Sequence, residues 1–215
     1  MTSLKQGFLK IKQALAITVT LMLVCGLAFP LVLTGISQVL FPHEANGSLI
    51  EVNGEAIGSI HVGQQFSEDY FMKGRPSAVG YNTYEEIDGK LYLLDGSEYN
   101  GVASGSNNYA ATNEALALRV EEDINNFLVS HKDIKKEDIP TDLLTASGSG
   151  LDPHISLASA KIQVSTIAKA SGLSEEELNQ IIIDNTTNKF LGIFGEEYVN
   201  VLMVNLDIAK AMGLI

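Results

Sequence analysis

The sequence predicts an α/β protein in which one N-terminal transmembrane helix is followed by a single extracytoplasmic domain built on a mixed sheet. Three observations predict it. Ala14 to Leu33 is almost wholly apolar, and no Lys, Arg, Asp or Glu lies between Lys12 and Glu44. Lys5, Lys10 and Lys12 precede that run, and every acidic residue follows it. Beyond residue 60, short strand and helix patterns follow one another in the order strands, helix, loop, helix, helix, strand.

A helix needs about 20 apolar residues to cross a bilayer core of about 30 Å, and the run exceeds that. Gly26 and Pro30 are tolerated in such a span when neighbouring helices cover the freed backbone. The basic residues stand before the span and no basic cluster follows it, so the positive-inside tendency places the N-terminus in the cytoplasm and the domain outside. A cleavable signal peptide would have a shorter apolar region and a small-residue cleavage site. Cys25 lacks the residues of a lipoprotein site, with Met22 and Val24 before it, and a soluble core helix would not be so uniformly apolar. The chain therefore divides into a basic tail (1–13), a transmembrane helix (14–40), a juxtamembrane connector (41–59) and an acidic domain (60–215).

The 215 residues carry a formal charge of −12. Eleven of the 14 basic residues and all 26 acidic ones follow the span, so that part carries −15. Such a surface repels phosphate backbones, which excludes nucleic acid as a partner, and it attracts cations. Cys25 is the single cysteine, so the domain is held by its core and not by a disulfide.

Element by element, the connector predicts a short strand around Leu49 to Val52. Lys90 to Leu94 reads as a strand between the turn dipeptides Asp88-Gly89 and Asp95-Gly96. Thr112 or Asn113 caps a helix running to about Ser130, with Leu116, Val120, Ile124 and Phe127 on its apolar face. Ser156 caps a second helix through Ala170, with Gly172 at its end. Ser174 with Glu177 forms a capping box for a third, which carries Leu178, Ile181 and Ile182. Tyr198 to Leu206, rich in Val and Leu, reads as a buried strand before a short helix at Asp207 to Met212.

No phosphate-loop, dinucleotide or zinc-protease motif is present, and Ala146-Ser147-Gly148-Ser149-Gly150 lacks the first glycine of a hydrolase elbow. No recognisable base lies near Ser104, Ser147 or Ser149. His61, His131 and His154 are scattered, and Asp152 with His154 gives only two metal ligands, so the expectation is no catalytic residue, no metal and no firmly bound cofactor.

Three segments stand out for composition. Ser104-Gly105-Ser106-Asn107-Asn108, with Thr112-Asn113 behind it, gathers hydroxyls, amides and backbone donors ahead of a helix, which suits a ligand or simply a turn and cap. Thr145 to Ser156, containing Ser147, Gly148, Ser149, Gly150, Asp152, Pro153 and His154, fits a docking surface or a structural loop. Gly74-Arg75-Pro76 sets a rare arginine in the acidic domain, where it favours an internal carboxylate partner.

These segments, in this order behind an N-terminal anchor, resemble the C subunit of the bacterial Kdp potassium-importing P-type ATPase. The resemblance covers nearly the whole chain: Gly74 to Ala78 with Tyr81-Asn82, the specific run Pro140 to Ser156, and a closing segment of Leu191-Gly192, Gly195-Glu196, Val199 to Leu202 and Asn205. The chain departs from the family's pattern at Ser106, at Asn107-Asn108 and at Glu114. The resemblance implies a non-catalytic accessory subunit that stabilises a complex. Its partners would be a channel-like potassium-translocating subunit, a P-type ATP-hydrolysing subunit and a very small stabilising subunit. It also implies a catalytic chaperone that raises the ATP affinity of the pump subunit, with ATP as a shared ligand. The topology argument ranks docking and entrance gating above ATP sharing, because ATP is cytoplasmic and the domain is expected outside. A membrane-anchored extracytoplasmic solute-binding or sensor module is the alternative reading, and an anchored hydrolase ranks third.

Overall fold

The computed structural model describes residues 2–215, with side chains from residue 6 onward. The chain forms two compact units, Met1–Leu49 and Ile50–Ile215.

The first unit is a long helix made of α1 (Thr2–Leu23), a π turn (Val24–Ala28) and α2 (Phe29–Leu40), then the single turn α3 (Pro42–Ala45). The π turn has a local cause. Pro30 has no N–H to offer the carbonyl four residues back and its ring crowds that carbonyl, so the helix widens just before it. Phe29 N–H accordingly donates to the Val24 carbonyl, one residue farther back than in an α-helix. Gln6–Leu40 is long and apolar enough to cross a membrane, with none of its most apolar window buried against protein.

The second unit begins with a hairpin of β1 (Leu49–Val52) and β2 (Glu55–Ser59). Asn53 and Gly54 both take positive φ, 53° and 84°, as a tight two-residue hairpin turn requires. A second hairpin, β3 (Tyr84–Ile87) and β4 (Lys90–Leu93), is antiparallel and closes on Asp88-Gly89 in the same way.

Next comes α4 (Glu114–Ser130), capped by the Asn113 carboxamide, which accepts from Ala115 N–H. The expected helix is thus present, with Asn113 and not Thr112 as its cap. The segment after it contains β5 (His154–Ile155), then α5 (Leu157–Ser171) and α6 (Glu175–Asp184). Ser156 and Ser174 accept from Ser159 N–H and Glu177 N–H at the two helix starts, and Gly172 ends α5 in the left-handed conformation at φ 78°. The chain closes with β6 (Thr186–Thr187), β7 (Tyr198–Asn200) and α7 (Val201–Ala211).

The α/β layout holds, with a difference in the sheets. In place of one mixed sheet there are, among the described residues, three small ones, and β7 sits between β5 and β6, antiparallel to both. A second correction concerns Tyr198 to Leu206, expected to be a strand. Only Tyr198–Asn200 is extended; from Val201 the chain is helical, because the Asn200 carboxamide accepts from Met203 N–H and starts α7. A short apolar run reads alike as a buried strand and as a helix buried on most sides, and α7 is the latter. Val201, Leu202, Val204, Leu206, Ile208 and Ala209 are all buried.

The core lies among α5, α6, α7 and β7, with Ile155, Val164, Ile167, Leu178, Ile182, Val199, Val204 and Ile208 in one cluster. Met72, Ile124, Ile139 and Leu143 join it from the loops and α4. At about 1.5–3 kcal/mol per fully buried large aliphatic side chain, this cluster is the dominant favourable contribution to stability.

Candidate functional site

The segment 71–77, a strap outside any helix or strand among the described residues, is held by α5 and α7 through two helix carboxamides that take a neighbouring strand's place. Asn205 Oδ1 accepts from Met72 N–H at 2.7 Å, and Asn205 Nδ2 donates to the Met72 carbonyl at 2.9 Å. One residue on, Gln163 Oε1 accepts from Lys73 N–H at 2.8 Å and its Nε2 donates to the Lys73 carbonyl at 3.1 Å. Asn205 and Gln163 are buried, so the four backbone groups they satisfy would otherwise be costly orphans.

Arg75, presented by this strap, donates from Nη1 to Asp152 Oδ2 at 2.8 Å and from Nε and Nη2 to the Thr145 carbonyl at 3.3 Å each. The arginine thus does have an internal carboxylate, and its planar fork straddles both ends of the Thr145 to Asp152 loop. Pro76 accepts from Ser147 N–H through its carbonyl at 3.3 Å. Ser77 Oγ donates to the Gly150 carbonyl at 2.6 Å and accepts from Tyr81 N–H at 3.0 Å.

Tyr81 is the pin of this arrangement. Its backbone is left-handed at φ 53°, an uncommon conformation for a bulky residue, and its ring is buried. Its hydroxyl donates to the Arg75 carbonyl at 2.8 Å. A Cβ at Gly63 would meet the Tyr81 ring at 2.5 Å and one at Gly74 would meet its hydroxyl at 3.0 Å, so both glycines make room for it. Burial above all, with the Asp152 charge adding to it, pushes the phenol up to about 12 against the opposing pull of Arg75.

The Ser104–Asn108 segment is laced to the Thr145–Ser156 loop. Gly105 N–H and Ser104 Oγ both donate to the Ser149 carbonyl, at 2.8 and 3.1 Å, and Asn82 holds Ala103 through its N–H and its carbonyl at 2.9 and 3.0 Å. Gly150, at φ 69°, lies so close that a Cβ there would meet Val79 Cγ2 at 2.6 Å and the Gly105 carbonyl at 2.9 Å. Ser147 Oγ accepts from Gly150 N–H and Ser149 Oγ from Leu151 N–H, while Gly148 faces open space. The hydroxyls of Ser104, Ser147 and Ser149 are therefore engaged by backbone, and no histidine is among their hydrogen-bond partners within the described residues.

Asp152 also accepts from His154 N–H, and the Pro153 carbonyl accepts from Val201 N–H at 2.9 Å, which ties the loop to the start of α7. The His154 ring lies 4.1 Å from that of Tyr198, and burial holds its imidazole below the ordinary value despite Asp152 beside it. Asp142 anchors the far end, accepting from Ser156 N–H, Ser156 Oγ and Ser159 Oγ. Burial works to raise its carboxyl, but these bonds win and hold it below the usual aspartate value.

Two clefts flank the knot. One, of ≈ 320 Å³, is bordered by Lys73, Arg75, Tyr81, Phe127 and His131. The other, of ≈ 630 Å³, is bordered by Asn107, Asn108, Tyr109, Arg119 and Thr145. Of the residues singled out in the sequence, Gly74, Arg75, Pro76, Ser104, Gly105, Ser147, Ser149, Gly150 and Asp152 meet in one knot. Asn107 and Asn108 lie on a cleft wall beside it, and Thr112 and Asn113 stand apart at the start of α4.

Residues 11–210, which contain all three loops, match the family described as K+-transporting ATPase, c chain. The chain belongs to that family. It is 59% identical over 207 residues to the potassium-transporting ATPase KdpC subunit of Clostridium kluyveri, covering 96% of each chain. To the subunit of the same name from Clostridioides difficile it is 56% identical over 205 residues, 95% of this chain and 99% of the relative. To that from Rhodopseudomonas palustris it is 42% identical over 197 residues, 92% and 94% of the two chains.

In this member of the K+-transporting ATPase c-chain family, sequence reasoning missed the roles of Asn82, Gln163, Asn205 and Asp142. The available signal was a carboxamide on an otherwise apolar helix face, as at Gln163 and Asn205, but their partners lie 90 and 133 residues away.

Proposed function

We propose that this chain is a non-catalytic accessory subunit of an ATP-driven potassium import complex, anchored by its N-terminal helix with the acidic domain outside the cytoplasm. Its work is to hold together a channel-like potassium-translocating subunit and a P-type ATP-hydrolysing subunit, alongside a very small stabilising subunit. The observation that carries this reading is the knot of the three loops: their charged and hydroxyl groups are engaged with one another and with backbone, which suits a rigid docking surface and supplies no activated nucleophile.

Family membership supports the complex, and Lys5, Lys10 and Lys12 ahead of the span support the orientation. With the domain outside, a rise in the pump subunit's ATP affinity follows from assembly, transmitted through the membrane part, and not from a nucleotide seated on Asn107 and Asn108. The charge of −15 beyond the span favours cation entry to a modest degree, since screening acts over about 8 Å at physiological salt.

The test is purification of the complex through a tag on the ATP-hydrolysing subunit, with and without this chain. The reading predicts that the channel-like and ATP-hydrolysing subunits part in its absence. An intact, fully active complex lacking it would overturn the reading.

A further inference from the structure

The membrane helix holds a backbone group that its own chain leaves without a donor. At the π turn Val24–Ala28, Phe29 N–H donates to the Val24 carbonyl. The Cys25 carbonyl therefore loses the donor four residues on that an α-helix would give it. The residue five on, which would continue the π pattern, is Pro30, and it has no N–H. Side chains do not fill the gap. From Leu21 to Leu33 the chain has no Ser, Thr, Asn, Gln, His, Tyr, Trp, Lys or Arg. Thr20 and Thr34, which bound that stretch, stand about 7.5 Å and 13.5 Å from Cys25 along the helix axis. Cys25 is two residues from the middle of the 14–40 span, a depth at which there is no water and acyl chains offer no donor, so an unmet carbonyl is costly there.

We propose that this π turn is a docking point inside the membrane for a transmembrane helix of a different subunit, one whose hydroxyl, carboxamide or indole donates to the Cys25 carbonyl. The donor has to be a side chain, because a continuous partner helix uses its own backbone N–H groups internally. It has to come from another kind of chain. A parallel second copy brings the same donor-free stretch Leu21–Leu33 to that depth, and the charge of −15 beyond each span opposes the pairing of copies. The partner can also come close: the N–H side of the Cys25 peptide belongs to Gly26, where a Cβ would meet nothing within 4 Å, and contact of this kind favours small residues.

This inference deepens the assembly reading, on which it rests, by naming a contact within the membrane and the chemistry of the group that makes it. It lies wholly in the first unit and is independent of the loops of the domain.

Cys25 is the single cysteine, so Cys25–Gly26 is the one Cys-Gly peptide of the chain. The full-length chain is labelled with [1-13C]cysteine and [15N]glycine, and carbon–nitrogen filtered solid-state NMR then reports that carbonyl alone. It is measured by itself in phosphatidylcholine bilayers, and again after assembly with unlabelled subunits and purification through a tag on the ATP-hydrolysing subunit. A carbonyl that gains a hydrogen bond moves downfield, so the resonance of the assembled chain is expected downfield of that of the chain alone. Pro30→Ala restores the missing N–H, so its resonance is expected downfield already in bilayers and unmoved by assembly. Gly26→Leu is expected to lower recovery of the chain with the complex several-fold, whereas Gly35→Leu, nine residues on and outside the turn, leaves recovery unchanged. An assembled chain whose Cys25 carbonyl resonates where it does in the lone chain overturns the proposal and leaves the assembly reading standing. A resonance already downfield in the unassembled wild-type chain overturns it too, as does undiminished recovery of Gly26→Leu. Failure of the wild-type chain to purify with the complex overturns both readings.

Discussion

Asn205, in the middle of α7, holds both the N–H and the carbonyl of Met72 at 2.7 and 2.9 Å, as a neighbouring strand would. Gln163 on α5 does the same for Lys73, so the strap that presents Arg75 is registered to two core helices by side chains alone.

Replacing Asn205 with Leu keeps the branched shape and the number of heavy atoms and removes the clamp. Two buried backbone groups of Met72 lose their partners, each costing about 1–3 kcal/mol, so the variant loses about 2–6 kcal/mol of stability in urea unfolding. Because Arg75 rides on the same strap, its contact with Asp152 should loosen as well.

Gly150 is predicted to tolerate no side chain. Gly150→Ala combines an unfavourable left-handed backbone with overlap on Val79 and on the Gly105 carbonyl, and should cost about 2–4 kcal/mol. Hydrogen exchange at Gly105 N–H, bonded to Ser149 in the native fold, should accelerate beyond the general loss of stability.

The Arg75–Asp152 pair joins two of the loops at a partly exposed position. A double-mutant cycle on R75A and D152N should give a coupling of about 1 kcal/mol. Arg75→Lys should recover only part of the stability lost in R75A, because an ammonium cannot reach Asp152 and the Thr145 carbonyl together.

Asp142 makes stability sensitive to acid. Its folded-state carboxyl is held below the ordinary value, so its contribution is present above the unfolded pKa of about 3.9 and is lost as pH falls through the folded value. Asp142→Asn should cost about 1 kcal/mol at neutral pH, as loss of a helix-start contact does, and should flatten the acid limb of a denaturation curve measured between pH 5 and pH 2.

Legibility in the sequence followed the range of the interactions. Asn113, Ser156, Ser174 and Gly172 mark helix ends by bonds within three or four residues, and each was readable. The turn Asp88-Gly89 announced β4, whereas its partner Tyr84–Ile87 is exposed on both faces and shows no alternation to read. The apolar density of Tyr198 to Leu206 hid a change from strand to helix at Asn200, because burial on most sides erases the helical period. The three loops were visible by composition, but their meeting depends on clamps from residues far away in the chain, which spacing does not encode.

The side of the membrane on which the domain lies decides between assembly at the channel entrance and a shared nucleotide. Cys25→Ser removes the single cysteine, and Lys132→Cys places one at an exposed position beyond α4. Intact cells expressing the whole complex are then treated with a membrane-impermeant maleimide. The account predicts labelling without lysis; labelling only after lysis would contradict it and put the domain beside cytoplasmic ATP.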